Sequence, residues 1–96
     1  MSEVVNGAVK ALNDKMDGQG FDGTAKFHIT GEGSLMIDGD GARAGDEEAD
    51  VTLTADAETF EAILNGDQDP TSAFMSGKLA VDGDMGKAMQ LAQVLS

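Results

Sequence analysis

Residues 49–95 read ADVTLTADAETFEAILNGDQDPTSAFMSGKLAVDGDMGKAMQLAQVL, and within them the apolar period changes from two to 3.6. Val51 and Leu53 alternate with Thr52 and Thr54, the pattern of a half-buried strand over Asp50 to Thr54. From Asp56 onward Phe60, Ile63 and Leu64 share one face of a helix that Asp56 caps and Gly66 ends. Asp69-Pro70 pairs an N-cap with a first-turn proline, starting a short helix through Phe74 and Met75 that stops at Gly77. Lys78 to Asp82 reads as another strand, with Leu79 and Val81 on one side, and Gly83-Asp84 turns the chain and caps a last helix. Strands and helices follow one another within this stretch, which predicts an α+β unit.

The preceding half supplies a helix and more strands. Val4, Val5, Ala8, Val9, Leu12 and Met16 recur on one helical face, with Ser2 placed to cap and Gly18 to stop. Thr24 to Thr30 alternates, putting Phe27 and Ile29 on one face and Lys26, His28 and Thr30 on the other. Gly31-Glu32-Gly33 supplies a hairpin turn into a strand carrying Leu35 and Ile37, and Ala42 to Gly45 forms a short third strand. No internal repeat or linker interrupts the chain, so residues 1–96 are expected to form a single domain. A chain of this length buries roughly 60 to 70% of its unfolded surface, enough for one modest core.

Composition narrows the partners. Eighteen acidic residues against six basic ones give a net charge of −12, which repels nucleic acid and limits contact with anionic membranes to transient encounters. Cysteine is absent, excluding disulfides, thiolate metal sites and a Cys nucleophile. No apolar run approaches the ~20 residues of a membrane span, and the N-terminus lacks the basic start and apolar stretch of a signal peptide, so a cytoplasmic protein is expected. An enzyme needs a positioned acid–base pair or nucleophile; one histidine, His28, on the polar side of a strand, and no GxSxG do not provide it. Asp38-Gly39-Asp40-Gly41 with Asp46, Glu47 and Glu48 invites a calcium reading. The register refuses the EF-hand version, because Arg43 stands where Gly is required and Ala49 where the bidentate Glu belongs. Neither 31-GEG-33 nor 83-GDMG-86 carries the Lys-Ser/Thr ending of a phosphate loop. No metal and no cofactor are expected.

The last helix carries the most informative pattern. From Met85 to Leu95 only Lys87, Gln90 and Gln93 are polar, whereas Met85, Ala88, Met89 and Ala92 form one apolar face that Leu91 and Leu95 widen. Surface helices show an apolar stripe little wider than ~100°, so this one must touch a second helix, another chain or a ligand besides the sheet. Residues 73–89, AFMSGKLAVDGDMGKAM, also hold three of the six methionines among three glycines. Methionine adapts to irregular apolar shapes and suits a surface that accepts variable ligands.

In these residues the sequence resembles the sterol carrier protein 2 lipid-binding domain family. The resemblance rests on Asp50-Val51-Thr52-Leu53, on Phe60 with Leu64 and Gly66, on Asp69-Pro70 leading into Ala73-Phe74, on Gly77-Lys78-Leu79, and on Gly83 with Met85-Gly86. It implies a five-stranded, mostly antiparallel sheet covered on one face by helices, with an apolar tunnel between the layers. It further implies a protein that binds and transfers long-chain fatty acid, acyl-coenzyme A or phospholipid and performs no chemistry. Motif correspondence marks Phe60, Leu64, Phe74, Met75, Leu79, Met85 and Met89 as lipid-lining residues; facing pattern adds Phe27, Ile29 and Ile63. Relatives often carry Asn where Asp84 stands, an apolar residue at Lys87 and a Lys at Gln90, and several are basic overall. Longer members end in a peroxisomal address, which does not follow Leu95-Ser96 here. These departures favour a bacterial-type protein and make sterol a less fitting ligand. A monomer or weak homodimer is expected. The alternative is a non-catalytic interaction module whose apolar last helix docks on another subunit.

Overall fold

Alternation decides the sheet. In the computed structural model, which describes residues 3–16 and 21–95, five strands form one sheet in the order β3-β2-β1-β4-β5. They are β1 (Ala25–Thr30), β2 (Gly33–Asp38), β3 (Gly41–Ala44), β4 (Val51–Asp56) and β5 (Ala80–Gly83). Three neighbouring pairs are antiparallel and the central pair, β1 with β4, is parallel. The register sets residues of like chemistry side by side: Leu35, Phe27, Leu53 and Val81 form one cross-strand row, and Ile37, Ala25 and Val51 the next. Side chains in such rows stand close enough to pack directly.

Four helices complete the fold: α1 (Glu3–Met16), α2 (Ala57–Asn65), α3 (Pro70–Met75) and α4 (Met85–Leu95). The i, i+4 face of α1 buries Val5, Ala8, Leu12 and Met16 in one core with Phe27, Ile29, Leu35 and Leu53. Phe60 and Ile63 of α2 and Ala88 and Leu91 of α4 join the same core, so the helices cover one face of the sheet. Ser2 and Gly18, expected to cap and stop α1, lie outside the described residues. Asp56 caps α2 by accepting from the Thr59 N–H at 2.7 Å, and Gly66 closes it in a left-handed conformation. The Thr59 side-chain and backbone hydrogen bonds hold the Asp56 carboxyl below its ordinary range. None of the described helices is long and apolar enough to cross a membrane.

Tertiary contacts explain where element bounds differ from the periodicity. The third strand runs one residue earlier than the expected Ala42 to Gly45, and the fourth extends to Asp56 along its parallel partner. The fifth begins at Ala80 rather than Lys78, because the N–H groups of Lys78 and Leu79 both donate to the Ala73 carbonyl at the end of α3. At its other end β5 must pass close to β4: a Cβ on Gly83 would stand 2.5 Å from the Asp50 carbonyl oxygen, and the backbone there has φ 111°. Only glycine satisfies both demands.

The outer sheet face is not uniformly open. Met36 points away from the helices yet is fully buried, since the chain after β3 folds back over it and the Glu47 N–H approaches its sulfur at 3.5 Å. Lys26 pins this strap through Asp46 at 2.9 Å, and Arg43 pairs with Asp38 and with Glu47. The Arg43 hydrogen bond, helped by the Asp40 N–H, holds the Asp38 carboxyl below its ordinary range, and Lys26 does the same for Asp46. The acidic run therefore engages the sheet's own cations. Asn13 protects the sheet edge, its amide donating to the Ala42 carbonyl at 3.0 Å and accepting from the Ala42 N–H at 2.8 Å.

Candidate functional site

Two short-range signals place α3 and α4 against each other over the β4–β5 end of the sheet. Asp69 accepts from the Ser72 N–H at 3.0 Å and sets the start of α3, with Pro70 in its first turn. Asp84 accepts from the N–H groups of Gly86 and Lys87 at 2.9 and 3.3 Å and starts α4 directly after β5. The two helices leave an apolar groove of about 280 Å³ between them. Its floor is Leu53, Leu79 and Val81; α3 gives Pro70, Phe74 and Met75 to one wall. Met85, Ala88, Met89 and Ala92 form the opposite wall, the apolar face of α4. Thr71 is the one polar side chain of this lining.

The groove is open along its rim. Met75 is 81% exposed, Met89 67%, Met85 48% and Phe74 42%, the four large apolar side chains that the described part of the protein leaves in water. Three of the lining residues, Thr71, Met89 and Ala92, also border a smaller space of about 170 Å³, together with Asp69 and Gln93.

Of the ten residues the sequence marks, five meet here: Phe74, Met75, Leu79, Met85 and Met89. Leu64 lies elsewhere, with Phe60 and the α1 residues Val4, Gly7, Ala8 and Ala11, around a separate cleft of about 240 Å³ between α1 and α2. Phe27, Ile29, Phe60 and Ile63 are packed into the closed core, each at most 1% exposed. The rings of Phe27 and Phe60 meet at 4.2 Å with a 50° tilt, which fixes both. Alternation puts a residue on the inner face of a strand, but whether a neighbour then covers it depends on where the helices land. Among the groove residues outside those ten, Ala88 and Ala92 share the α4 face of Met85 and Met89, and Val81 follows the alternation from Leu79. Leu53 follows the alternation from Val51, and Pro70 is marked in the sequence only as the first-turn proline of α3.

No cation borders the groove among the described residues. Lys87, nearest along α4, turns to the other flank: its ammonium donates to the Asp22 carbonyl at 2.8 Å. Its stem runs so close over Gly23 that a Cβ there would stand 2.6 Å from Lys87 Cε. His28 bonds Ser34 at 2.9 Å on the outer sheet face, away from the groove.

Comparison with known proteins gives a concordant result. The family model of the SCP-2 sterol transfer family matches residues 6–96. Hydroxysteroid dehydrogenase-like protein 2 of Danio rerio is 39% identical over 82 residues, covering 77% of this chain and 20% of that protein. The chain thus spans about a fifth of that relative's length. Among solved structures, Sterol Carrier Protein 2 Like 2 of Aedes aegypti has the same fold, with a TM-score of 0.78 at 21% identity over 95% of both chains. The solution structure of palmitated SCP2L2 from Aedes aegypti aligns with a TM-score of 0.74 at 26% identity, covering 99% of this chain and 95% of that one.

Proposed function

This chain belongs to the SCP-2 sterol transfer family, and from that premise we propose that it binds and transfers lipids, holding an acyl tail in the α3–α4 groove. The tail would come from a long-chain fatty acid, acyl-coenzyme A or phospholipid, and the protein would perform no chemistry on it. Residues 1–96 act as one lipid-binding unit in this reading, with Phe74, Met75, Leu79, Met85 and Met89 against the tail. The observation that carries it is the groove's lining: ten apolar side chains and Thr71, with three methionines on a rim left open to water.

Physical chemistry makes this sufficient. Burial of about twelve methylenes at ~0.8 kcal/mol each gives roughly 10 kcal/mol, within the range of about 4–15 kcal/mol that association costs. At the low end of that cost about 6 kcal/mol remains, a dissociation constant of some tens of micromolar. The groove's about 280 Å³ sits at the lower edge of the roughly 300–1,000 Å³ typical of ligand sites, so a long tail needs the rim side chains to close over it. Methionine supplies that freedom. The palmitated relative from Aedes aegypti supports the same class of ligand.

Native mass spectrometry of protein isolated from cells, joined to titration with a fluorescent fatty acid, tests the reading. Expected are one lipid per chain and saturable binding in the micromolar range. A ligand-free stoichiometric dimer with no saturable binding would replace it with the docking-module alternative.

A further inference from the structure

Resting on that lipid-binding reading, we infer that Met75, Met85 and Met89 are an oxidation site that empties the groove: a peroxide converts their thioethers to sulfoxides, and the sulfoxides keep the lipid out.

The distribution of sulfur carries the inference. The sequence has no cysteine, so its peroxide-reactive sulfurs are those of six methionines. Met1 lies outside the described residues. Of the other five, Met16 is buried in the core at the end of α1, and Met36 is fully buried beneath the strap that follows β3. Met75, Met85 and Met89 are all exposed, and all three line the groove. They stand on both of its walls: Met75 ends α3, and Met85 and Met89 lie four residues apart on one face of α4. Oxidation follows exposure, so a peroxide reaches the groove before it reaches the core.

The step is a two-electron oxidation. A lone pair on the thioether sulfur attacks one oxygen of hydrogen peroxide and the O–O bond breaks. The sulfur keeps that oxygen as a sulfoxide, and the other oxygen leaves as water with both protons. The free protein accommodates the product, because these side chains already face water. The lipid complex does not. A sulfoxide oxygen is polar and accepts hydrogen bonds, and Thr71 is the one polar side chain of the lining. An acyl tail laid over the oxidised rim strips water from three such oxygens, and a single hydroxyl cannot replace it. Oxidation therefore penalises the complex more than the free chain, and lowers affinity without lowering stability. A bound tail covers the same sulfurs, so lipid in turn shields them from peroxide.

The whole chain, treated with hydrogen peroxide and then freed of it, reads this out. Peptide mass mapping should find one added oxygen on Met75, Met85 and Met89 well before Met16 or Met36 gains any, and saturating fatty acid should slow the three selectively. Affinity for a fluorescent fatty acid should fall about tenfold, with the urea midpoint nearly unmoved. Methionine sulfoxide reductases of both epimer specificities should restore binding. A variant combining Met75→Leu, Met85→Leu and Met89→Leu should keep its own starting affinity, whatever that is, through the same treatment. Oxidation of the buried methionines at an equal rate, unchanged lipid affinity after oxidation of the three, or a loss that comes only with unfolding would overturn the inference. Loss of affinity on treatment of the triple variant would overturn it too. Absence of saturable binding before any peroxide is added would instead overturn the lipid-binding reading.

Discussion

Phe60 and Phe74 carry the same side chain in opposite settings, and truncating each to alanine separates core from groove. Phe60 is fully buried and stacks against Phe27 at 4.2 Å. Phe60→Ala therefore loses the transfer energy of a whole ring and opens a cavity, about 3–5 kcal/mol, a large share of the ~5–15 kcal/mol of a typical domain. Phe74 is 42% exposed and lines an open space, which leaves 58% of it buried (100 − 42). Scaling the ~3 kcal/mol upper value for burying a large apolar side chain by that fraction gives about 1.7 kcal/mol, with no cavity added because the site already opens to water. Urea unfolding reads the difference. With a slope of about 1–2 kcal/mol per molar, a gap of ~2 kcal/mol separates the two midpoints by roughly 1–2 M. The lipid affinity should run the other way, falling about tenfold in Phe74→Ala through lost contact with the tail. Equal loss of stability in both variants, or a lipid affinity indifferent to Phe74, would refute the division between sealed core and open groove.

The other expectations follow from the same geometry. Met89→Asp should keep the fold, because Met89 is 67% exposed, and should abolish lipid binding by setting a carboxylate over the tail; an unfolded variant would contradict the rim position. Amides of α4 from 85 to 93 should exchange faster than those of β4 in lipid-free protein and slow when lipid is added, since α4 borders the empty groove whereas β4 is paired on both edges. Equal protection in both elements, unmoved by lipid, would make α4 a fixed wall. Stability should fall in acid: Asp38, Asp46 and Asp56 titrate below their ordinary values when folded, so the unfolded chain takes up protons first. Their contribution is present above the ordinary carboxylate value near 3.9 and is lost as pH drops through the folded values. Arg43→Gln should remove the Asp38 share, measured as a smaller change in urea midpoint between pH 7 and pH 3; an undiminished change would show that Arg43 does not hold Asp38.

Much of this protein can be read from signals that span four residues or fewer. Alternation at Phe27 and Ile29 or Val51 and Leu53 specifies strands, because consecutive side chains point to opposite faces whatever the rest of the chain does. Asp56, Asp69 and Asp84 specify helix starts, because each reaches an N–H two or three residues along its own backbone. The apolar face of Met85, Ala88, Met89 and Ala92 follows from the helix period alone, and it is one wall of the groove. Long-range packing decided the rest. Whether an inward-facing ring is sealed, like Phe27, or half in water, like Phe74, depends on elements distant in the chain, and the two rings are chemically identical. Met36 is buried by a strap that follows the next strand, and Lys87 is drawn from the groove by a carbonyl 65 residues away. The sequence by itself determined which segments become strands and helices and which faces are apolar, since those follow from the backbone's own periods. Only the tertiary structure decided which apolar faces close on one another and which stay open for a lipid, since burial is a property of two surfaces and the chain writes each of them separately.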